Sequence, residues 1–302
     1  MKLDSHIAYG VGKEDVARMA QLAGMEFVDY DDEACDDNGL SEDIIDTHEF
    51  DPRRTQELLA EMASAAFSAR DNGFAQYVGE NKQHIFRAAL VAPEVTEMLI
   101  LGYRFGVSSG SGACMNDLGA LYYMGEIVER DYAKAAELYE MAVDAGCYQS
   151  IINLGYIYEY GRTGEPDHAK AYQWYSLAAA LAPSSEAAYK LGDMFSRGRA
   201  VERDMKKANI LYEHSLELAN STVEAAQPAI RIARMLIDPE GPSYGVEPNP
   251  LRALALYQQA EIGLRIDIAN SQVYYAKRLR EAIEGQEKAR ELVEDDSRIC
   301  HP

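Results

Sequence analysis

Residues 150–179 read SIINLGYIYEYGRTGEPDHAKAYQWYSLAA, and two groups in this stretch decide the fold: Leu154-Gly155 with Tyr158, then Lys170-Ala171 with Tyr175. Both groups recur. Leu118-Gly119 with Tyr122 precedes them and Leu191-Gly192 with Phe195 follows, while Lys134-Ala135 and Lys207-Ala208 stand at matching distances beyond their glycines, trailed by Tyr139 and Tyr212. Gly119, Gly155 and Gly192 are spaced 36 and 37 residues apart. That interval accommodates two helices of three to four turns and two short turns, and a fixed period of this size marks a repeat architecture.

The residue types fit one helical hairpin per repeat. Glycine inside a helix costs about 0.5–1 kcal/mol and is tolerated where it lets a neighbouring helix approach. The second helix of each hairpin carries an apolar stripe, as in Ala135, Leu138, Tyr139 and Ala142, or Ala171, Trp174, Tyr175 and Ala178, wide enough to face two neighbours. Looser copies follow as Ile232-Ala233 with Leu236 and Tyr275-Ala276 with Leu279. The stretch Pro239–Gly245 lengthens the turn of the fourth repeat before Arg252-Ala253 and Tyr257 restore the pattern. Lys288-Ala289 comes too soon after Ala276 for a full fifth hairpin, as expected of a terminal cap.

These residues, Lys170-Ala171 with Trp174-Tyr175 and Ala178-Ala179 above all, resemble the Sel-one-like repeat (SLR) family of tetratricopeptide-like proteins. The resemblance is strong over 113–219 and weaker over 223–293. It implies an all-α, right-handed α-solenoid, a superhelix of stacked antiparallel helix hairpins, with about ten to twelve helices and no sheet over 54–294. It also implies a protein-protein or protein-peptide interaction module or adaptor, not an enzyme. Members described as hydrolysing β-lactams resemble a cysteine-paired version of the repeat that this chain does not carry.

The expected organisation is an acidic N-terminal segment over 1–53, forming an arm or small irregular unit, then a helical cap over 54–112. Repeats follow at 113–147, 148–183, 184–220 and 223–264, with a partial cap at 268–293 and a tail at 294–302. Within the cap, helices are expected over Arg54–Arg70, Lys82–Ala92 and Glu94–Phe105, with Val107–Gly112 as a flexible joint. Leu101-Gly102 with Phe105 imitates the marker, but Gly119 follows too soon for a second helix between them.

Composition narrows the function. Fifty acidic residues against 29 basic give a formal charge of −21, which opposes attraction to nucleic acid or anionic membranes. No run of about 18 apolar residues and no signal-like start is present, so a cytoplasmic protein is expected. Cys35, Cys114, Cys147 and Cys300 lack metal-ligand spacing and are expected as free thiols, although a hairpin would bring Cys114 and Cys147 near each other. Asp29, Asp31 and Glu33 alternate like calcium ligands, but Ala34 stands where such a loop needs glycine and Leu40 where it needs glutamate. The six histidines are dispersed, and no phosphate loop or nucleophile elbow occurs, so no metal, cofactor or catalytic residue is expected.

Binding residues are expected on the first helix of each hairpin, helix A, whose variable positions line the concave face of a solenoid. Tyr123, Tyr156 and Tyr160 fall there, and exposed tyrosine suits binding surfaces. The positions two before and one after each marker run from Asp117 and Ala120 through Asn153 and Tyr156, Lys190 and Asp193, and Arg231 and Arg234, to Tyr274 and Lys277. Tyr123, Asn153, Tyr156, Tyr160, Lys190, Asp193, Arg197, Arg231, Arg234, Tyr274 and Lys277 form the expected partner site, in a groove turning basic towards the C-terminus. The alternative is that the cations pair with acidic neighbours such as Glu186 or Glu224. A second function is also open: an acidic inhibitor or immunity-type protein capturing a basic partner. Between Arg18 and Arg53 there is no lysine or arginine, while Phe27, Tyr30 and Phe50 are interleaved with acids, so residues 25–51 are a candidate for docking in the chain's own groove on Lys190, Arg231, Arg234 and Lys277.

Overall fold

The computed structural model describes residues 11–25, 52–68, 72–269 and 275–299. Among these residues every regular element is helical. In chain order they are α1 (Lys13–Leu22), α2 (Pro52–Phe67), α3 (Gly73–Glu80), α4 (Lys82–Ala89), α5 (Pro93–Ser108), α6 (Gly112–Met124) and α7 (Tyr132–Asp144). The series continues with α8 (Tyr148–Glu159), α9 (His168–Leu181), α10 (Ser185–Arg197), α11 (Met205–Leu218), α12 (Thr222–Leu236), α13 (Pro250–Ala269) and α14 (Ala276–Ile299). The chain divides into two compact units, residues 1–147 and 148–302.

The recurrent sequence groups have direct packing causes. A Cβ added at Gly119, Gly155 or Gly192 would overlap the ring of Tyr139, Tyr175 or Tyr212 respectively, so the glycine opens the space that the tyrosine of the partner helix fills. The Lys-Ala group marks the start of the second helix. Asp131, Asp167 and Asp204 cap those helices by accepting the backbone N–H of Lys134, Lys170 and Lys207 at 3.0, 2.9 and 2.9 Å. The same lysines lie 5.1, 5.0 and 5.4 Å from the ring centres of Tyr122, Tyr158 and Phe195, the aromatic residues of the markers. Gly125, Gly161 and Gly198 end the first helices in left-handed geometry, with φ of 66°, 57° and 63°.

The first unit has more helices than the sequence pattern suggests. α3 was hidden by Gly73 and Gly79 at its two ends, yet Phe74, Ala75 and Val78 are buried on it. Gly102 explains the imitation marker: a Cβ there would overlap the Phe74 ring, so the glycine-aromatic fit of the repeats recurs with the aromatic residue earlier in the chain. The expected flexible joint is instead a tight turn. α5 runs to Ser108, Gly110 takes φ of 83°, and Ser111 caps α6 by accepting from the Cys114 N–H. Part of the expected acidic arm is also structural, since Met19, Leu22 and Ala23 enter the core of this unit. Arg18 makes two bonds to Glu97 at 2.8 and 2.7 Å, and Gln56 donates to the Leu22 carbonyl. Residues 26–51, including the acidic run, the candidate calcium loop and nearly all of the candidate self-docking segment, lie outside the described residues. Cys114 and Cys147 are free thiols.

The second unit stacks hairpins α8–α9, α10–α11 and α12–α13, with α14 packed on the last of them. Its solenoid-like character rests on this succession. The inserted Gly241–Tyr244 segment is a 3-10 turn held by the Tyr244 hydroxyl donating to Asp238 at 2.6 Å. α14 is one helix of 24 residues, not a hairpin, and a Cβ at Gly285 would overlap the Tyr257 ring.

Candidate functional site

The first helices of the second unit's hairpins carry most of the residues expected at the binding site, although much of α10 and α12 is buried. On α10, Glu186, Lys190, Asp193 and Arg197 recur at helical spacing, and on α12 Glu224, Gln227, Arg231 and Arg234 do the same. Each helix therefore presents a carboxylate near its N-terminus and an arginine near its C-terminus, an arrangement that also complements the helix dipole.

Between these ends the charges are locked together. Lys190, with its side chain 4% exposed, places Nζ 2.6 Å from Oε2 of Glu159, which also accepts from the Tyr175 hydroxyl at 2.9 Å. The ammonium lies 4.1 Å from the Tyr156 ring centre, and Arg199 approaches the other Glu159 oxygen at 3.3 Å. One hairpin later the pattern repeats. Arg231 grips Asp193 with two bonds of 2.6 and 2.7 Å, and Tyr212 donates to Asp193 at 2.8 Å. Its remaining Nη1 donates to the carbonyl and to Oε1 of Gln227, and the guanidinium lies 4.6 Å from the Tyr189 ring centre. Burial disfavours the Asp193 anion, but Arg231 outweighs it and holds the carboxyl well below the usual carboxylate range.

Lys190 and Arg231 occupy the same repeat position, two residues before the marker, and both reach back to the preceding hairpin. Tyr175 and Tyr212 are likewise equivalent. The cations expected to make the groove basic are thus spent inside it, paired with Glu159 and Asp193 and not with Glu186 or Glu224. The reason is geometric, because position −2 of helix A faces the junction with the previous hairpin. Cationic surface survives one or two turns on. The Arg197, Arg234 and Arg278 side chains are 39%, 55% and 33% exposed, with Arg234 and Arg278 sharing Glu281. Burial, with Arg231, Arg234 and Arg197 nearby, holds the Arg278 pKa below its ordinary value against the opposing pull of Asp193.

The remaining expected residues are scattered more widely. Tyr156 is half-buried, donates to Glu186 at 2.7 Å and meets the Tyr189 hydroxyl at 3.1 Å, and burial pushes its phenol up. It stacks on Tyr160, which is 46% exposed. Asn153 is half-buried and Lys277 exposed. Tyr123 belongs to the first unit, where it meets Tyr132 edge-on at 5.3 Å, and Tyr274 lies outside the described residues.

Sequence reasoning missed Glu159, Tyr189, Gln227, Asp267 and Arg278. Glu159 had a signal, since it stands four residues after its marker where the other copies have Tyr123, Ser196 and Ile237. A cavity of about 350 Å³ opens at the N-terminal ends of α10 and α12, walled by Glu186, Tyr189, Glu224, Gln227, Asp267 and Tyr275 among others. Among the described residues no group of three His, Cys, Asp or Glu side chains is placed to hold a metal ion, and no helix is long and apolar enough to cross a membrane.

The Sel1 repeat model matches residues 112–147, 149–183, 185–220 and 240–261. The chain carries Sel1 repeats. Such repeats generally mediate protein-protein interactions and are typically non-enzymatic scaffolds. Among solved structures, a Sel1 repeat protein from Oxalobacter formigenes is similar at 17% identity and a TM-score of 0.48, covering 77% of this chain and 98% of its own. A protective antigen of uropathogenic Escherichia coli displaying an SLR fold is similar at 24% identity and a TM-score of 0.46, covering 80% of this chain. The chain spans 56% of that antigen's length. An immunity protein from Pseudomonas aeruginosa is similar at 19% identity and a TM-score of 0.33, over 59% of this chain and 80% of its own. No curated protein matches significantly.

Proposed function

We propose that this Sel1-repeat chain is an interaction module whose second unit binds a segment of another protein across the inner faces of α8, α10 and α12. The observation that carries this reading is the locked floor. Glu159, Lys190, Asp193 and Arg231 are nearly fully buried and bonded as two pairs, so they fix the surface above them. On that floor stand Tyr160, Arg197 and Arg234, side chains of the types enriched where binding energy concentrates. A surface fixed before binding loses less conformational freedom on association. Tyr156, Tyr160, Asn153, Arg197, Arg234 and Lys277 are the contact residues in this reading, and Lys190, Asp193 and Arg231 act as positioning residues.

A second reading, an acidic inhibitor or immunity-type protein holding a basic partner, is favoured by the net charge of −21 and by the acidic walls of the cavity. Both are tested by placing a photo-crosslinking amino acid at Tyr160 or Lys277 and, as a control, at Ile210 on the exposed side of α11. The groove reading predicts a discrete adduct from the first two positions only, weakened by Arg197→Ala with Arg234→Ala. Equal adducts from Ile210 would overturn it. Loss of the adduct in high salt when the captured protein is basic would favour the inhibitor.

A further inference from the structure

The cavity at the acidic end of the inner face has its own chemistry. Three carboxylates, Glu186, Glu224 and Asp267, contribute to its wall, and no Lys, Arg or His is among the described residues lining it. Asp267 has no hydrogen-bond or ion-pair partner among the described residues, and its half-buried position raises its pKa through desolvation. Glu186 and Glu224 have structural duties, accepting from Tyr156 and Gln149 and from the Asn220 N–H, but none of these donors is a cation.

The decisive feature is Gln227. This wall residue is 8% exposed, and its side-chain nitrogen has no hydrogen-bond acceptor. The amide cannot be turned to relieve this, because Arg231 donates to Oε1 at 3.0 Å and fixes which end is nitrogen. An unsatisfied buried donor costs about 1–3 kcal/mol, so natural structures retain few of them. A ligand carbonyl would satisfy it once a small side-chain shift opens the nitrogen, now closed to solvent, to the cavity. Tyr189 and Tyr275 add aromatic wall, and the volume is near the lower end of the roughly 300–1,000 Å³ span of small-ligand pockets.

Resting on the binding reading above, we propose that this cavity receives an arginine side chain of the bound protein, with the guanidinium among Glu186, Glu224 and Asp267 and a backbone carbonyl accepting from Gln227. Arginine suits the site better than lysine because a planar guanidinium both stacks on tyrosine and distributes five donors among several carboxylates. The inner face is then bipolar: a basic residue of the partner enters at the N-terminal ends of α10 and α12, and acidic groups meet Arg197 and Arg234 at their C-terminal ends. This orients an extended segment along α10 and α12.

The test uses the full chain and three capped tripeptides, acetyl-Ala-Arg-Ala-amide and its lysine and citrulline counterparts. NMR titration follows the Gln227 side-chain amide and the backbone of Glu224 and Asp267. The expected result is a saturable shift of all three with the arginine peptide, weaker with lysine and absent with neutral citrulline. Asp267→Asn, a substitution on a half-buried residue that leaves the fold intact by melting temperature, is expected to weaken the arginine peptide about threefold to fivefold. Equal shifts with citrulline, or no shifts at these residues with arginine, would overturn the proposal. Crosslinking through Tyr160 with no arginine shifts would retain the binding face and remove the cavity; arginine shifts without crosslinking would do the reverse.

Discussion

Replacing Arg231 by methionine removes the cation from one of the two buried ion pairs while keeping most of the side-chain volume. Asp193 would be left with its carboxylate 5% exposed, held only by the Tyr212 hydroxyl and by Arg197 at 3.8 Å. Breaking a buried pair from one side costs about 3–5 kcal/mol, whereas replacing both partners by apolar groups is often near neutral. Arg231→Met is therefore expected to destabilise the second unit by about 3–4 kcal/mol, and Arg231→Met with Asp193→Leu by clearly less. The single tryptophan, Trp174, lies on α9 and reports on this unit, so its fluorescence during urea unfolding is the assay.

The pH dependence has a defined sign. In the wild type Asp193 is held below its unfolded pKa, so its contribution is present above about pH 4 and is lost as pH falls through the depressed folded value. In the variant, burial is no longer outweighed and the Asp193 pKa rises above the unfolded value. The destabilisation should then be largest near pH 7 to 8 and shrink towards pH 5. A loss under about 1 kcal/mol, or one independent of pH, would refute the view that this pair is a desolvated junction between hairpins.

Gly155→Ala places a methyl group into the Tyr175 ring and is expected to cost about 1–3 kcal/mol by the same fluorescence assay, whereas Gly164→Ala, with nothing near its Cβ, should cost far less. Asp204→Ala removes the cap of α11 and should cost about 1 kcal/mol, with faster amide exchange confined to the first turn of that helix. Cys114, buried and with its thiol pushed up by desolvation, should react with iodoacetamide more slowly than the half-buried Cys147, as read by peptide mass spectrometry.

The hairpins were legible because each marker has a short-range cause that recurs: glycine under a tyrosine, and lysine at the start of a capped helix. The first unit was less legible because it uses the same fit without the same order, Phe74 preceding Gly102, so periodicity carries no information there. Lys190 and Arg231, at position −2, read from the pattern as surface residues, but that position points into the hairpin junction. A single helix pattern cannot distinguish those two directions. The pairs Glu159 with Lys190 and Asp193 with Arg231 are 31 and 38 residues apart, so they emerge only when successive repeats are laid over one another. Gln227 and Asp267 had no pattern at all, since a cavity walled by residues of five helices leaves no trace in any one of them.

The central claim, that partners bind across the inner faces of α8, α10 and α12, is tested most directly by amide hydrogen exchange of the full chain with and without its crosslink-identified partner. The account predicts new protection in α8, α10 and α12, with α9 and α11 unchanged. Protection confined to α9 and α11, or to the first unit, would contradict it.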